Sequence, residues 1–251
     1  MGDLAGHVSV ITGGNGGIGL GMARALAEAG ADVAIWARDE DKSAAAVASL
    51  ADTGRRVEAF RCDVAVEDDV EAAMAATVEA FDRVDSVIAN AGIGGYARFH
   101  EMSLAEWRRV TSVDRDGAFL TLRAGARHLI ERGEGGSLVA VSSVSAIHGA
   151  PGMQHYAASK AGLLAVVRGL AVELARHRIR CNAMLPGWTE SDMLDPTTAP
   201  PAFVEATTRR TPLRRWGTPA DMGRVAVYLA DPANLFHTGD AVVVDGGYSI
   251  F

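Results

Sequence analysis

The segment that most limits what this chain can fold into lies near its amino terminus. A short β-branched run, Val8–Ile11, breaks into Thr12-Gly13-Gly14-Asn15-Gly16-Gly17-Ile18-Gly19, and an Ala-rich stretch of helical periodicity, Ile18–Ala29, follows. Glycines at this density let the backbone turn sharply and approach a ligand closely. The first N–H groups of a helix have no intrahelical partner, and the helix dipole adds partial positive charge there, so such a turn suits a phosphate. Gly14, Gly16 and Gly19 satisfy the general G-x-G-x-x-G spacing, whereas Thr12, Gly13, Gly17, Ile18 and Gly19 satisfy T-G-x-x-x-G-I-G. A glycine turn alone is also compatible with a plain tight turn. Set between a first strand and a first helix, it reads as the diphosphate loop of a nucleotide-binding βαβ unit.

The alternation continues to the end of the chain. Strands are expected at Val8–Ile11, Asp32–Trp36, Val57–Arg61, Ser86–Ala89, Ser137–Val141, Arg180–Met184 and Ala241–Val244. They are short, continuous and rich in β-branched residues, as strands buried on both faces should be. Helices are expected at Ile18–Ala29, Asp41–Leu50, Glu67–Phe81, Leu104–Arg132, Gln154–His177 and Pro219–Ala230. Alternation of this kind predicts an α/β fold: a Rossmann-type doubly wound sheet of seven parallel strands with helices on both faces. Residues 1–251 are expected to form one domain. Trp188 to Thr218 breaks the rhythm and holds four of the eight prolines, which suggests a small mobile lid after the sixth strand.

Composition removes several classes of function. The net charge is −7, and no Lys/Arg cluster of the kind that tracks a phosphate backbone is present, so nucleic acid is not an expected partner. Cys62 and Cys181 sit in apolar segments without C-x-x-C spacing and read as core thiols, neither disulfide nor metal site. No apolar run approaches the ~18 residues a membrane span needs. The first strand begins so early that no room is left for a signal peptide, and a cytoplasmic enzyme is expected.

Further motifs follow in order. Asp63-Val64 ends the third strand region, Asn90-Ala91-Gly92 follows the fourth strand, and Ser143, Tyr156 and Lys160 fit S-x12-Y-x3-K. Pro186-Gly187 precedes Thr189 and Ser191, and Thr238-Gly239 precedes Val244-Asp245-Gly246-Gly247. With the T-G-x-x-x-G-I-G loop, these resemble the compact, single-domain branch of the short-chain dehydrogenase/reductase family over nearly the whole chain. The resemblance implies an oxidoreductase that uses NAD or NADP to interconvert a secondary alcohol and a ketone. It assigns cofactor contacts to Gly13, Asn15, Gly16, Gly17, Ile18, Gly19, Arg38, Asp63, Val64, Asn90, Ala91, Gly92, Tyr156, Lys160, Pro186, Gly187, Thr189 and Ser191. It also implies a homo-oligomer, tetramer or dimer, through the long fourth and fifth helices.

The chemistry can be reasoned from the side chains as well. Hydride transfer at a carbinol carbon needs a partner for the hydroxyl proton. A free tyrosine, with a pKa of ~10, is a poor base at neutral pH. An ammonium beside it favours the phenolate, and Lys160 lies one helical turn from Tyr156 on the same face. Ser143 falls at the carboxyl edge of the fifth strand, where it can orient the substrate oxygen toward Tyr156. In the resemblance, Lys160 also holds the nicotinamide ribose. The bland alternatives are a surface Tyr/Lys pair and a serine that merely caps a loop.

One position departs from the family pattern. Asp114, in Val113-Asp114-Arg115-Asp116-Gly117, stands where the fourth catalytic residue, an asparagine of a proton relay with the lysine, is expected. An ionised aspartate accepts hydrogen bonds but cannot donate them. Asp114 either continues the relay as an acceptor or only fixes local backbone. For the cofactor, Ala37 fills the position of an acidic residue that would accept from the ribose 2′-OH, and Arg38 follows it, which favours NADP. Asp39 is the competing reading and would favour NAD, but it also suits the N-cap of the next helix.

The substrate pocket is expected between Ser143, Tyr156 and the lid, lined by Gly94, Gly95, His148, Met153, His155, Trp188, Met193 and Leu194. Arg209, Arg210, Arg214 and Arg215 offer either an anion site or a solvated face. Two other classes of function stay open: a nucleotide-binding scaffold or sensor that has lost turnover, and a lyase or epimerase that uses the cofactor transiently.

Overall fold

Apolar runs without alternation suit strands buried on both faces; the inner strands are so buried, the two edge strands only in part, and all seven pair into one parallel sheet. The computed structural model describes residues 3–251. The strands are β1 (Val8–Thr12), β2 (Asp32–Ala37), β3 (Val57–Arg61), β4 (Ser86–Ala89), β5 (Gly136–Val141), β6 (Ile179–Pro186) and β7 (Ala241–Val244). Their order across the sheet is β3-β2-β1-β4-β5-β6-β7. The chain winds outward from β1 to β3, crosses back to β4 beside β1, and winds the other way. The crevice at that reversal, outside the carboxyl ends of β1 and β4, is where such sheets bind ligands.

The helices are α1 (Gly17–Glu28), α2 (Glu40–Ser49), α3 (Glu67–Phe81), α4 (Leu104–Thr111), α5 (Ala118–Arg132), α6 (Gln154–Leu174), α7 (Pro201–Arg210) and α8 (Pro219–Ala230). They cover the sheet on both faces, making two apolar cores. One lies under α1, α2 and α8, the other under α3, α5 and α6. Successive side chains of a strand point to opposite faces. Accordingly Val33 and Ile35 enter the first core, while Ala34 and Trp36 enter the second. Trp36 is fully buried because its indole N–H finds Thr77 Oγ1 at 2.9 Å.

Three features differ from expectation. The single helix Leu104–Arg132 is instead α4, a π-helical turn over Ser112–Gly117, and α5. The hydrophobic period runs through the turn, so nothing in the pattern marks it. The segment 188–218 contains a helix, α7, begun by Pro201. Proline is well suited to the first turn, where its missing N–H costs nothing. The sixth strand extends to Pro186, so Pro186 closes a strand rather than opening a loop. Elsewhere the local chemistry agrees with the sequence. Asp39 caps α2 by accepting from the Lys42 N–H at 2.9 Å.

Helices α1 and α8 approach through glycines. A Cβ at Gly21 would lie 2.4 Å from the Pro219 carbonyl oxygen, and one at Gly223 would lie 2.7 Å from Ala25 Cβ. Backbone cannot yield as a flexible side chain does, so Gly21→Val should destabilise the protein by about 3 kcal/mol. For a chain of this length that lowers Tm by about 6–12 °C, measured by thermal unfolding.

Candidate active site

The crevice is built first by a weld between two loops. Thr12 Oγ1 accepts from the N–H groups of Asn90 and Ala91, both at 2.9 Å, and Asn90 Nδ2 donates to the Thr12 carbonyl at 2.9 Å. The turn after β4 is thereby fixed against the glycine loop after β1. Gly13, at φ +63°, sits in the left-handed region that side chains disfavour, and a Cβ there would press on Ala91 and Asn90 at 3.2 Å. Gly19 is equally bound: its Cβ would fall 2.1 Å from the Gly13 carbonyl. The first N–H groups of α1 have no intrahelical partner, and the loop's glycines put no side chain of their own over them, which fits a dinucleotide diphosphate.

The second wall comes from α6. Its first turn carries Tyr156, and Lys160 lies one turn later, 3% exposed. Lys160 Nζ donates to the carbonyl of Val141, the last residue of β5, at 3.0 Å, and sits 5.5 Å from the centre of the Tyr156 ring. Ser142 Oγ returns a bond to the Lys160 carbonyl at 2.7 Å, so α6 is tied to the end of β5 from both directions. Ser143 follows in extended conformation and opens a short 3-10 turn, Val144–Ala146, that packs on α6. Its hydroxyl accepts from the Ser145 N–H at 3.1 Å and keeps its own proton for another acceptor.

The π-helical turn delivers the fourth residue. Asp114 is 0% exposed; its Oδ1 accepts from the Ile93 N–H at 2.8 Å, and its Oδ2 lies 3.7 Å from Lys160 Nζ without a hydrogen-bond partner. Burial pushes the Asp114 carboxyl up from the usual range, with the Lys160 ammonium opposing. Gly92 lies beneath both groups. A Cβ there would come within 3.2 Å of Lys160 Nζ and 3.3 Å of Asp114 Oδ2. Tyr156, Lys160 and Asp114 thus converge from α6 and the π-helical turn, and Ser143 stands two residues beyond β5.

The remaining expected residues border the same crevice. Ser191 lies over Gly17, whose Cβ would meet Ser191 Cβ at 3.0 Å, and Thr189 Oγ1 donates to the Gly187 carbonyl at 3.1 Å. Ile18 is half-buried at the start of α1. Val64 packs on Gly117 of the π-helical turn, and Asp63 stands 3.6 Å from the Arg38 guanidinium. Asn15 turns its amide to Ser43 Oγ, 3.1 Å away on α2, so its side chain ties the loop to that helix.

Among the expected pocket residues, Met193 covers Gly94. His155 does not line an open space. It is fully buried, its Nε2 lying 3.4 Å from Glu106 Oε1. Glu106 in turn takes two bonds from Arg109, which hold its carboxyl down at about 2, and Arg109 donates to the Gly94 carbonyl at 2.9 Å. Trp188 stacks on Trp216 with ring centres 5.9 Å apart, edged by Phe203 and Tyr248. Tyr248 carried no motif in the sequence, yet it joins the carboxyl terminus to this cluster. Three of the four arginines are already engaged. Arg210 stacks on Tyr248 at 4.2 Å, Arg214 donates to the Arg209 carbonyl, and Arg215 pairs with Asp221.

Comparison with known proteins agrees with this geometry. A family model described as Enoyl-(Acyl carrier protein) reductase matches residues 13–249. L-rhamnose 1-dehydrogenase (NAD(P)(+)) of Sphingomonas sp. (strain SKA58) is 36% identical over 245 residues, covering 97% of this chain and 96% of that protein. A short-chain type dehydrogenase/reductase from Mycobacterium marinum superposes with a TM-score of 0.93 at 34% identity, covering 99% and 98% of the two chains. A gluconate 5-dehydrogenase from Burkholderia cenocepacia J2315, solved in complex with NADP and tartrate, superposes at 0.92 with 33% identity, covering 98% and 96%. The chain belongs to the short-chain dehydrogenase/reductase family.

Proposed function

We propose that this protein interconverts a secondary alcohol and a ketone by hydride transfer, with NADP as its preferred cofactor and NAD as the alternative. The observation that carries the reading is the buried Lys160 ammonium, fixed by the Val141 carbonyl against the Tyr156 ring. Desolvating an ammonium is costly, and holding a ribose alone does not require that charge to stand beside a phenol. The retired-scaffold reading has only the aspartate at position 114 in its favour.

The cofactor supplies or accepts the hydride when bound. Gly13, Gly16, Gly17, Ile18 and Gly19 hold its diphosphate, with Thr189 and Ser191 closing from the segment 188–218, which acts as a lid. Asn90, Ala91, Gly92, Pro186 and Gly187 border the nicotinamide half, and Asp63 and Val64 the adenine. Arg38, 62% exposed at the end of β2, takes the 2′-phosphate, while the competing Asp39 is engaged in capping α2. Ser143 donates to the substrate oxygen. Tyr156 gives its hydroxyl proton to that oxygen in reduction and removes it in oxidation. Lys160 stabilises the phenolate and holds the ribose. Asp114 accepts in the relay behind it.

Relatives named for rhamnose and gluconate stand beside a 3-oxoacyl-[acyl-carrier-protein] reductase and a cis-4-hydroxycyclohexanecarboxylate dehydrogenase of similar identity, so the reading extends to a secondary alcohol or ketone and to no finer class. The chain works in the cytoplasm, in keeping with two free thiols, Cys62 and Cys181, each pushed up to about 12 chiefly by burial. It assembles as a tetramer or dimer through α4, α5 and α6, where Leu104, Phe119 and Val172 are exposed.

Replacing Tyr156 by Phe should lower kcat about 10²–10⁴-fold, the usual worth of a positioned proton donor. NADPH binding, followed by fluorescence, should persist; full activity in the variant would refute the assignment. Asp114→Asn tests the unusual carboxylate. Asp114 is shifted upward, so its charge appears only as pH rises, and there it offsets the Lys160 field at the phenol. Without that charge, the rise of alcohol oxidation with pH should move to lower pH by about one unit. An unchanged pH–rate profile would mean that the charge has no catalytic role.

A further inference from the structure

A second cation borders the glycine loop, and the sequence motifs do not include it. Lys42 lies in the first turn of α2, four residues after Arg38. Its ammonium pairs with Asp192, a residue 150 positions away in the segment 188–218. The pair sits directly on Gly16. A Cβ there would fall 2.6 Å from Lys42 Nζ and 2.5 Å from Asp192 Oδ2, so a larger residue would push the two charged ends aside. The same rim is tied together by Asn15, whose amide donates to Ser43 Oγ at 3.1 Å and lies 3.4 Å from the Asp39 carbonyl. Lys42 and the loop backbone at Gly16 therefore share one edge of the crevice, and Arg38 precedes them just after β2.

The free N–H groups of α1 already serve the diphosphate. Lys42 belongs instead to the helix that follows β2, the strand whose end faces the adenosine ribose in folds of this topology. Its partner is weakly held: the side chains of Lys42 and Asp192 are 41% and 66% exposed, and exposed pairs contribute little and are screened by salt. A phosphate dianion presents more charge and more acceptor oxygens than one carboxylate and can displace it.

We propose that Lys42 is a specificity-determining residue that reads the 2′-phosphate of NADP together with Arg38, and that Asp192 holds Lys42 in place until that phosphate arrives. This rests on the NADP reading above. With NADH, Lys42 stays on Asp192 and contributes nothing to affinity. With NADPH, the ammonium is handed to the phosphate.

Isothermal titration of the full-length protein with adenosine 2′,5′-bisphosphate and with adenosine 5′-monophosphate separates the 2′-phosphate from every other contact. Lys42→Met should weaken the bisphosphate about tenfold, the worth of one charge-assisted contact, and the monophosphate less than twofold. Asp192→Asn removes the competitor and should tighten the bisphosphate about threefold without changing the monophosphate. Equal weakening of both ligands by Lys42→Met, or no weakening, overturns the proposal. Arg38→Met distinguishes the two readings. If it abolishes discrimination while Lys42→Met does not, the NADP preference stands and the role of Lys42 falls. If the unmodified protein binds both ligands alike, the NADP reading fails and the role of Lys42 with it.

Discussion

An ammonium taken out of water is among the more expensive groups a fold can hold, costing several kcal/mol even after relaxation. Lys160 is such a group, and much of the site can be understood as what makes its burial tolerable. One N–H is satisfied by the Val141 carbonyl, which is free to accept because β5 ends there. A carboxylate stands at 3.7 Å without touching it, so part of the positive charge remains unneutralised toward the Tyr156 ring. A tight ion pair would have stabilised the lysine better and left less field at the phenol. In the proposed mechanism stability and reactivity draw on the same charge.

The position of that charge depends on backbone at both ends. Ser142 binds the carbonyl of Lys160 itself, and the Thr12–Asn90 weld sets where Gly92 runs beneath the ammonium. Asp114 joins the two systems, since its other oxygen takes the Ile93 N–H just beyond Gly92. The glycine loop, the turn after β4, the π-helical turn and α6 are therefore one connected unit, assembled at the crevice that the strand order creates.

Much of this was legible in the sequence because it rests on local rules. Continuous β-branched runs gave the strands, Asp39 before a helical pattern marked a cap, and the order of glycine loop, Asn90-Ala91-Gly92 and Ser143/Tyr156/Lys160 marked the crevice. What stayed hidden depends on geometry without a periodic signature. The π-helical turn leaves the apolar pattern of Leu104–Arg132 unbroken. Helix α7 begins at a proline in a proline-rich stretch, where breaking signals outweigh the first-turn preference. His155 looked available for a pocket, but its environment is set by Glu106 and Arg109 on another helix. Lys42 and Asp192 meet only because the sheet folds them together over a glycine.

The π-helical turn is also a stored insertion. Each residue of an ordinary helix advances the face by 100°, and a π-helical turn absorbs one extra residue without lengthening the path appreciably. The faces of α4 and α5 therefore keep their relation across Ser112–Gly117, and the extra residue is taken up as a local bulge. Losing one residue would let the helix run regular with Glu106 and Arg109 still facing His155 and Gly94, while the bulge that presents Asp114 to Lys160 would be lost. The length of this stretch is therefore as strictly constrained as the identity of the carboxylate it presents.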